Sequence, residues 1–335
     1  METVYFLGID ISKKKFDAAL TLDGSNVHEL GMPNSASAIR VAFQALKDKF
    51  GFSYEHLVVC IEHTGIYCQH LLDFVVEQRI KLCMEPALQI KQSQGIVRGK
   101  SDRVDAKRIA AYAFKNREQL KFWSPPRQVV QKLKALLVVR ERLVRAKVQL
   151  QTPLNESQEF IEGSICKTMA KCCKNTLKAL SEDIDKIEHE IDVLLSQDQS
   201  LSRQMKYATS VTGIGKITAA NVIVATGEFT RIAEAKKFAC YSGIAPFEHT
   251  SGSSIRGRTR VSKMANMAIK KLLHLSALTA IRLDQDIRQF YTRKVDEGKN
   301  KMSVINAVRN KLISRVFACV KNQRIYEKTY QHALA

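Results

Sequence analysis

The sequence has no run of apolar residues near the ~18 needed to cross a bilayer as a helix, so no membrane-spanning segment is expected. Its start, METVYFLGID, has no basic stretch followed by an apolar one, so no secretory leader is expected. The eight cysteines (Cys60, Cys68, Cys83, Cys166, Cys172, Cys173, Cys240 and Cys319) are scattered and form no CxxC pair. That spacing argues against a zinc site and a disulfide framework, and fits buried thiols in a reducing cytoplasm. No internal repeat or low-complexity tract occurs. Acidic residues are scarce: 33 Asp and Glu stand against 53 Lys and Arg, a net charge of +20. An excess of that size calls for a polyanionic partner, and with the membrane set aside that partner is nucleic acid.

With 335 residues the chain should hold about two domains at roughly 150 residues each. Hydrophobic residues at 45% and charged residues at 26% allow an ordinary core and exclude wholesale disorder. Residues 1–122 read as α/β. VYFLGIDIS is a strand, FDAALTL is its antiparallel neighbour, and Asp23-Gly24 signals a turn into a third strand at Val27–Leu30. Ser35–Phe50 has Ile39, Phe43 and Leu46 on one helical face. HLVVCIEH is continuously apolar, as in a strand buried on both faces. A helix at Ile66–Gln78, a strand at Ile80–Pro86 and a helix at Ser101–Asn116, N-capped by Ser101, complete the unit. Three strands, then helix, strand, helix, strand, helix, is the order of a ribonuclease H-like sheet.

Residues 123–205 read as all-helical, opened by Pro125-Pro126. Leu177, Leu180, Ile184, Ile187, Ile191 and Leu194 make a coiled-coil seam, and Val130, Leu133, Leu137 and Val144 a looser stripe. The two helices pair either within one chain or between subunits. Residues 206–335 read as a second, mostly helical globular part. Between Glu248 and Asp284 there is no acidic residue, while Arg256, Arg258, Arg260, Lys263, Lys270, Lys271 and Arg282 crowd the same window.

Two constellations carry chemistry. Asp10 lies inside the first apolar strand, where a carboxylate is costly unless a metal or a hydrogen-bond network compensates it. Glu62 ends the second apolar run, and Asp102 and Asp105 are three apart on one helix face. Taken singly, Asp102 and Asp105 fit a solvated helix N-terminus. If the first and fourth strands are neighbours, the four acids converge, and hard oxygen donors so grouped suit Mg²⁺. Asp17 reads as a rim residue and Asp23 as a turn residue. The second constellation is HTSGSSIRGRTR, His249–Arg260, a glycine-rich basic loop without an acid. It fits either a phosphate-binding loop or a loop holding a serine nucleophile. Lys216 lies in TGIGK, which fits either a helix–hairpin–helix turn on a DNA phosphate or a plain structural turn.

The stretches GIDISKKKFDAAL, IEHTG, GKSDRVDAKRIA, SVTGIGKITAANVIVATGEFTRI and FACYSGIAPFEHTSGSSIRGRTRVSKMAN together resemble the DEDD-type insertion-sequence transposases. That group is related to the Piv DNA invertases and is described as bridge-RNA-guided recombinases. The resemblance implies a RuvC-like N-terminal domain whose Asp10, Glu62, Asp102 and Asp105 bind Mg²⁺. It implies a C-terminal transposase domain with a serine nucleophile at Ser251, beside Gly252, with Ser253 and Ser254 as the alternatives. It further implies a covalent phosphoserine–DNA intermediate and dimers or tetramers in which different subunits supply serine and acids. The resemblance also implies a structured guide RNA that selects donor and target DNA, and on this reading Lys216, Arg256, Arg258, Arg260 and Lys263 are expected to supply phosphate binding. Two other readings compete. A structure-specific RuvC-like endonuclease of the Holliday-junction type would use the metal site alone. A non-enzymatic nucleic-acid-binding protein would use neither site.

Overall fold

The computed structural model describes residues 4–62, 65–93, 101–251, 255–262 and 264–327. By packing, the chain falls into two units that part between Pro125 and Pro126.

The first unit is built on a five-stranded sheet. β1 (Tyr5–Ile11) turns into β2 (Lys15–Thr21), where the Ser12 hydroxyl donates to the Lys15 carbonyl at 2.8 Å. The turn into β3 (Val27–Pro33) is an Asx turn: the Asp23 carboxylate accepts from the backbone N–H of Ser25 and Asn26, and Gly24 takes a φ of 81°. Then follow α1 (Ala36–Phe50), β4 (Leu57–Glu62), α2 (Gln69–Glu77), β5 (Lys81–Glu85), a short α3 (Ala87–Gln92) and α4 (Asp102–Lys115). Ser35 and Ser101 cap α1 and α4, each hydroxyl accepting a backbone N–H at 3.3 Å. The strand order is β3-β2-β1-β4-β5, with β2 antiparallel and β4 parallel to β1. This is the order and direction of the ribonuclease H-like sheet expected from the sequence. The chain closes the unit by running past β5, where the Trp123 N–H donates to Leu82 O at 2.7 Å.

Both faces of β1 and β4 are covered, which is why these strands read as unbroken apolar runs. Leu7, Ile9, Val59 and Ile61 pack on Ile39 and Phe43 of α1 and on Leu71 and Phe74 of α2. Phe43 lies 4.8 Å from Phe74 between ring centroids, and its full burial is worth about 2–3 kcal/mol. On the other face α4 comes down onto the sheet. A Cβ at Gly8 would stand 2.2 Å from the Ala110 backbone nitrogen, so the helix backbone rests on β1 itself. Small residues (Gly8, Ala19, Ala106, Ala110) make that approach possible, and they fix where the first turn of α4 lies.

The second unit opens with α5 (Gln128–Phe160) and α6 (Gly163–Gln197), an antiparallel hairpin within the chain, tied by Arg140 donating to Glu188 at 2.6 Å. Of the two pairings open in the sequence, the structure has the intrachain one. Then come α7 (Gln199–Thr209), α8 (Lys216–Thr226), α9 (Ala235–Tyr241), the hairpin β6 (Pro246–Ser251) and β7 (Ile255–Val261), α10 (Met267–Leu283), α11 (Gln285–Asp296) and α12 (Lys301–Lys321). The expectation of a separate helical segment at 123–205 is corrected here. Val130, Leu133 and Leu137 of α5 and Ile191 and Leu195 of α6 share one core with Ile223, Phe238, Leu273, Val308 and Leu312. The distal seam, Leu177 to Ile187, stays half-exposed. Asp284 is fully buried, caps α11 and accepts from Arg315 of α12 at 3.0 Å. No described helix is long and apolar enough to cross a membrane.

Candidate active site

The register of the first sheet gathers the acids. Asp10 pairs with Asp17 across β1 and β2, so both side chains leave the same face of the sheet. One step beyond the Ile9–Ile61 pair, Asp10 comes beside Glu62 at the end of β4. This is the face that α4 covers. With Ala106 and Ala110 seated over Gly8, the helix's first turn, which carries Asp102 and Asp105, lies toward Asp10. Asp10 records the result. Its carboxyl is pushed up to about 6, first by burial and then by the negative charges of Asp102, Asp105, Glu62 and Asp17.

The acids are partly neutralised by the chain itself. Lys15 Nζ lies 3.1 Å from Asp17 and 2.9 Å from Asp102, and Arg108 lies 2.7 Å from Asp105. A further pair, Lys107 with Glu29 at 2.7 Å, tacks α4 to β3. Among the described residues no three acid, histidine or cysteine side chains stand close enough together to hold a metal ion as they are. The donor set nevertheless fits a divalent cation. It is all carboxylate oxygen, and its mutual repulsion is what a cation would relieve. A cleft of about 580 Å³ opens beside it, lined by Lys15, Asp17, Gly31, Ser101 and Asp102.

Asp17, expected at the rim, is only 5% exposed. The signal for it is the short turn after Ile11, which forces Asp17 opposite Asp10. Glu85, buried at the end of β5 and in register with Glu62, has no such signal in the sequence. It accepts from the Cys83 thiol at 3.2 Å. The neighbouring Cys60 thiol is held protonated by its hydrogen bond with Cys83 and by burial, with the charges of Cys83 and Glu85 adding to both.

In the second unit the stretch expected as a loop is largely strand. His249–Ser251 lie on β6 and Ile255–Arg260 on β7, because β-branched Thr250, Ile255, Thr259 and Val261 favour extended backbone. Thr250 pairs with Arg256, Ser251 with Ile255 and Phe247 with Arg260, so Ser251 is the last residue of its strand. Gly252, Ser253, Ser254 and Lys263, and the side chains of Ser251, Arg256 and Arg258, lie outside the described residues. Arg260 is exposed. Helices hold both ends of the hairpin. Asn306 of α12 donates to Ile244 O at 2.7 Å, and Asn266, the cap of α10, donates through its amide to the Tyr241 hydroxyl at 3.0 Å.

TGIGK joins α7 to α8. Gly213 has a φ of 94°, and a Cβ there would meet Ser276 O of α10 at 2.6 Å, so the turn is fixed by packing. Gly215 caps α8 without a side-chain hydrogen bond, which leaves backbone N–H groups for other acceptors. Lys216, expected on phosphate, is 2.6 Å from Asp192 of α6. An exposed pair of that kind is worth about 0–1 kcal/mol and exchanges readily for another anion.

Residues 7–157 match a DEDD-type IS110 transposase domain, and residues 205–292 match the domain described as Transposase IS116/IS110/IS902 family. The chain is 26% identical over 327 residues to the pilin gene-inverting protein of Moraxella bovis, covering 96% of this chain and 98% of that one. It is 31% identical over 153 residues to an uncharacterized insertion element IS110 protein of Streptomyces coelicolor, covering 46% of this chain and 36% of that one. Among solved structures, Thermus thermophilus RuvC in complex with Holliday junction substrate aligns with 99% of its chain and 36% of this one, at 15% identity and a TM-score of 0.28. The first domain match takes in nearly all of the first unit and runs on into α5, and the second lies wholly within the second unit. The chain belongs to the IS110/IS116/IS902 family of DEDD-type transposases.

Proposed function

We propose that this transposase cuts and rejoins DNA through a covalent link to Ser251, with Asp10, Glu62, Asp102 and Asp105 holding Mg²⁺ at the same reaction. The observation that carries the reading is the set of four carboxylates, from two strands and one helix, gathered at one half-buried Asp10. The Ser251 hydroxyl attacks phosphorus. One Oγ–P bond forms as one P–O bond of the DNA breaks, and the serine proton ends on the departing deoxyribose oxygen. Because the phosphodiester is conserved on the protein, rejoining reverses the step without ATP. A bound Mg²⁺ would supply Lewis-acid stabilisation of charge developing on the phosphate. The carboxylates of Asp10, Glu62, Asp102 and Asp105 orient it.

The acid-free window from 249 to 283 supports phosphate binding by Arg256, Arg258, Arg260 and Lys263. The pilin gene-inverting relatives support action that turns a DNA segment round. The family resemblance supports a structured guide RNA that selects donor and target, and an oligomer whose subunits share serine and acids. Cytoplasmic residence follows from the reading. The test is denaturing-gel capture of a protein–DNA adduct on a cognate end. Wild type should form it, and Ser251→Ala should not, while still binding nucleic acid. Cleavage with free ends that is indifferent to Ser251→Ala would instead establish the metal-only endonuclease.

A further inference from the structure

We propose that Lys15 is a built-in competitor for the divalent cation at Asp102, a positioning residue that sets how tightly the acid cluster takes up metal. The proposal rests on the metal reading of the acids given above.

Lys15 opens β2 two residues before Asp17, so both side chains rise on the same face of the sheet. Its ammonium reaches Asp17 Oδ2 at 3.1 Å and Asp102 Oδ2 at 2.9 Å. The two acids differ in setting. Asp17 is 5% exposed, and Lys15 is its hydrogen-bond partner in the structure. Across the strand pair sits Gly31, where a Cβ would come within 3.1 Å of Asp17 Oδ1. The Asp17 carboxylate thus fills space that a side chain would take, and the Lys15 ammonium supplies the positive charge its burial demands. Asp102 is half-exposed, opens α4 and lines the cleft.

A Mg²⁺ ion bound to the Asp102 carboxylate at about 2.1 Å would lie close to the ammonium that holds Oδ2 at 2.9 Å, and the two like charges repel. Metal uptake at Asp102 therefore exchanges one cation for another and leaves Lys15 on Asp17. Without metal the same ammonium bridges β2 and α4 and keeps Asp102 near Asp10 against charge repulsion. Lys14, the neighbour in sequence, has the same charge and is exposed, but it forms no ion pair with any described residue. It separates a specific competition from a general charge effect.

The experiment is a Mn²⁺ titration followed by electron paramagnetic resonance on the full-length chain, for wild type, Lys15→Met, Lys15→Arg and Lys14→Met. Lys15→Met should bind about fivefold more tightly, the size of an ion pair that no longer has to be broken. Lys15→Arg should keep wild-type affinity, and Lys14→Met should change it by less than about twofold because its charge is screened. Equal affinity in Lys15→Met and Lys14→Met, or weaker binding in Lys15→Met, overturns the role of Lys15 and leaves the metal site standing. No Mn²⁺ binding by any of the four chains overturns the metal reading and this proposal with it.

Discussion

Asp10 and Asp17 stand opposite each other on β1 and β2, one half-buried and one almost fully buried, with their carboxylates on the same face of the sheet. A fold does not bring two acids together in this way for stability. Burying a carboxylate costs free energy, and the negative charges of Asp102, Asp105, Glu62 and Asp17 add to the cost. The consequence falls on Asp10. Its folded-state value of about 6 lies above its ordinary 3.8, so the folded chain keeps a proton there that the unfolded chain has lost. Stability therefore falls as pH rises from 3.8 through about 6. Asp10→Asn mimics the protonated form. It should match wild type in urea unfolding near pH 4 and exceed it by about 1 kcal/mol near pH 7.5 without metal, allowing for screening of a half-exposed carboxyl. A loss of stability in Asp10→Asn near pH 7.5 would show that Asp10 is compensated without a cation.

Mg²⁺ should raise the thermal midpoint of the wild-type chain near pH 7.5, because a ligand that binds the folded state stabilises it by mass action. The increment should shrink as pH falls through about 6, where the Asp10 proton competes with the ion. Differential scanning fluorimetry with and without Mg²⁺ at several pH values reads this. A pH-independent increment would place the ion elsewhere.

Gly8→Val tests whether the seat of α4 creates the site. A Cβ at Gly8 would lie 2.2 Å from Ala110 N and 2.5 Å from Ala106 O, both backbone atoms that cannot swing aside. The substitution should destabilise the first unit by about 1–3 kcal/mol and abolish Mn²⁺ binding, although every acid is retained. Urea unfolding and Mn²⁺ titration on the same sample check both. Undiminished metal affinity would detach the helix seat from the site.

Asp284→Ala should be among the most damaging single changes in the second unit. It strands Arg315 and removes the cap of α11, a loss of about 3–5 kcal/mol. A urea midpoint close to wild type would mean that Arg315 finds another partner.

Arg256→Ala and Arg258→Ala should each weaken binding to duplex DNA and flatten its salt dependence. The slope of log affinity against log salt should fall by about 0.9 for each phosphate that the variant no longer neutralises. Fluorescence anisotropy across a salt series measures this. An unchanged slope would remove those arginines from the phosphate-binding surface.

Much of the first unit is legible in the sequence because its physics is local. Apolar runs mark β1 and β4, Ser35 and Ser101 mark helix starts, and Asp23-Gly24 marks the turn. Asp10 stands out in the sequence because it interrupts an apolar strand, whereas Glu62, Asp102 and Asp105 gain weight only beside it. Asp17 is placed by the short turn after Ile11, whereas Glu85 is harder to read, since its burial depends on strand register with β4 rather than on its sequence neighbours. The glycine- and serine-rich composition around Ser251 hides a hairpin that β-branched residues and the anchors Asn266 and Asn306 sustain. Lys216 reads as a free phosphate ligand, because a charge tally cannot see Asp192 arriving from another helix. The bridge from Lys15 to Asp102 is hidden for the same reason.

The central claim is that one reaction needs both the acids and Ser251. The most direct measurement is amplification of the excised circular junction in cells that carry the gene with its native flanking DNA, for wild type, Asp10→Ala and Ser251→Ala. The account predicts a junction in wild type and none in either variant. A junction that persists in Ser251→Ala would contradict the covalent serine step, and one that persists in Asp10→Ala would contradict the role of the acids.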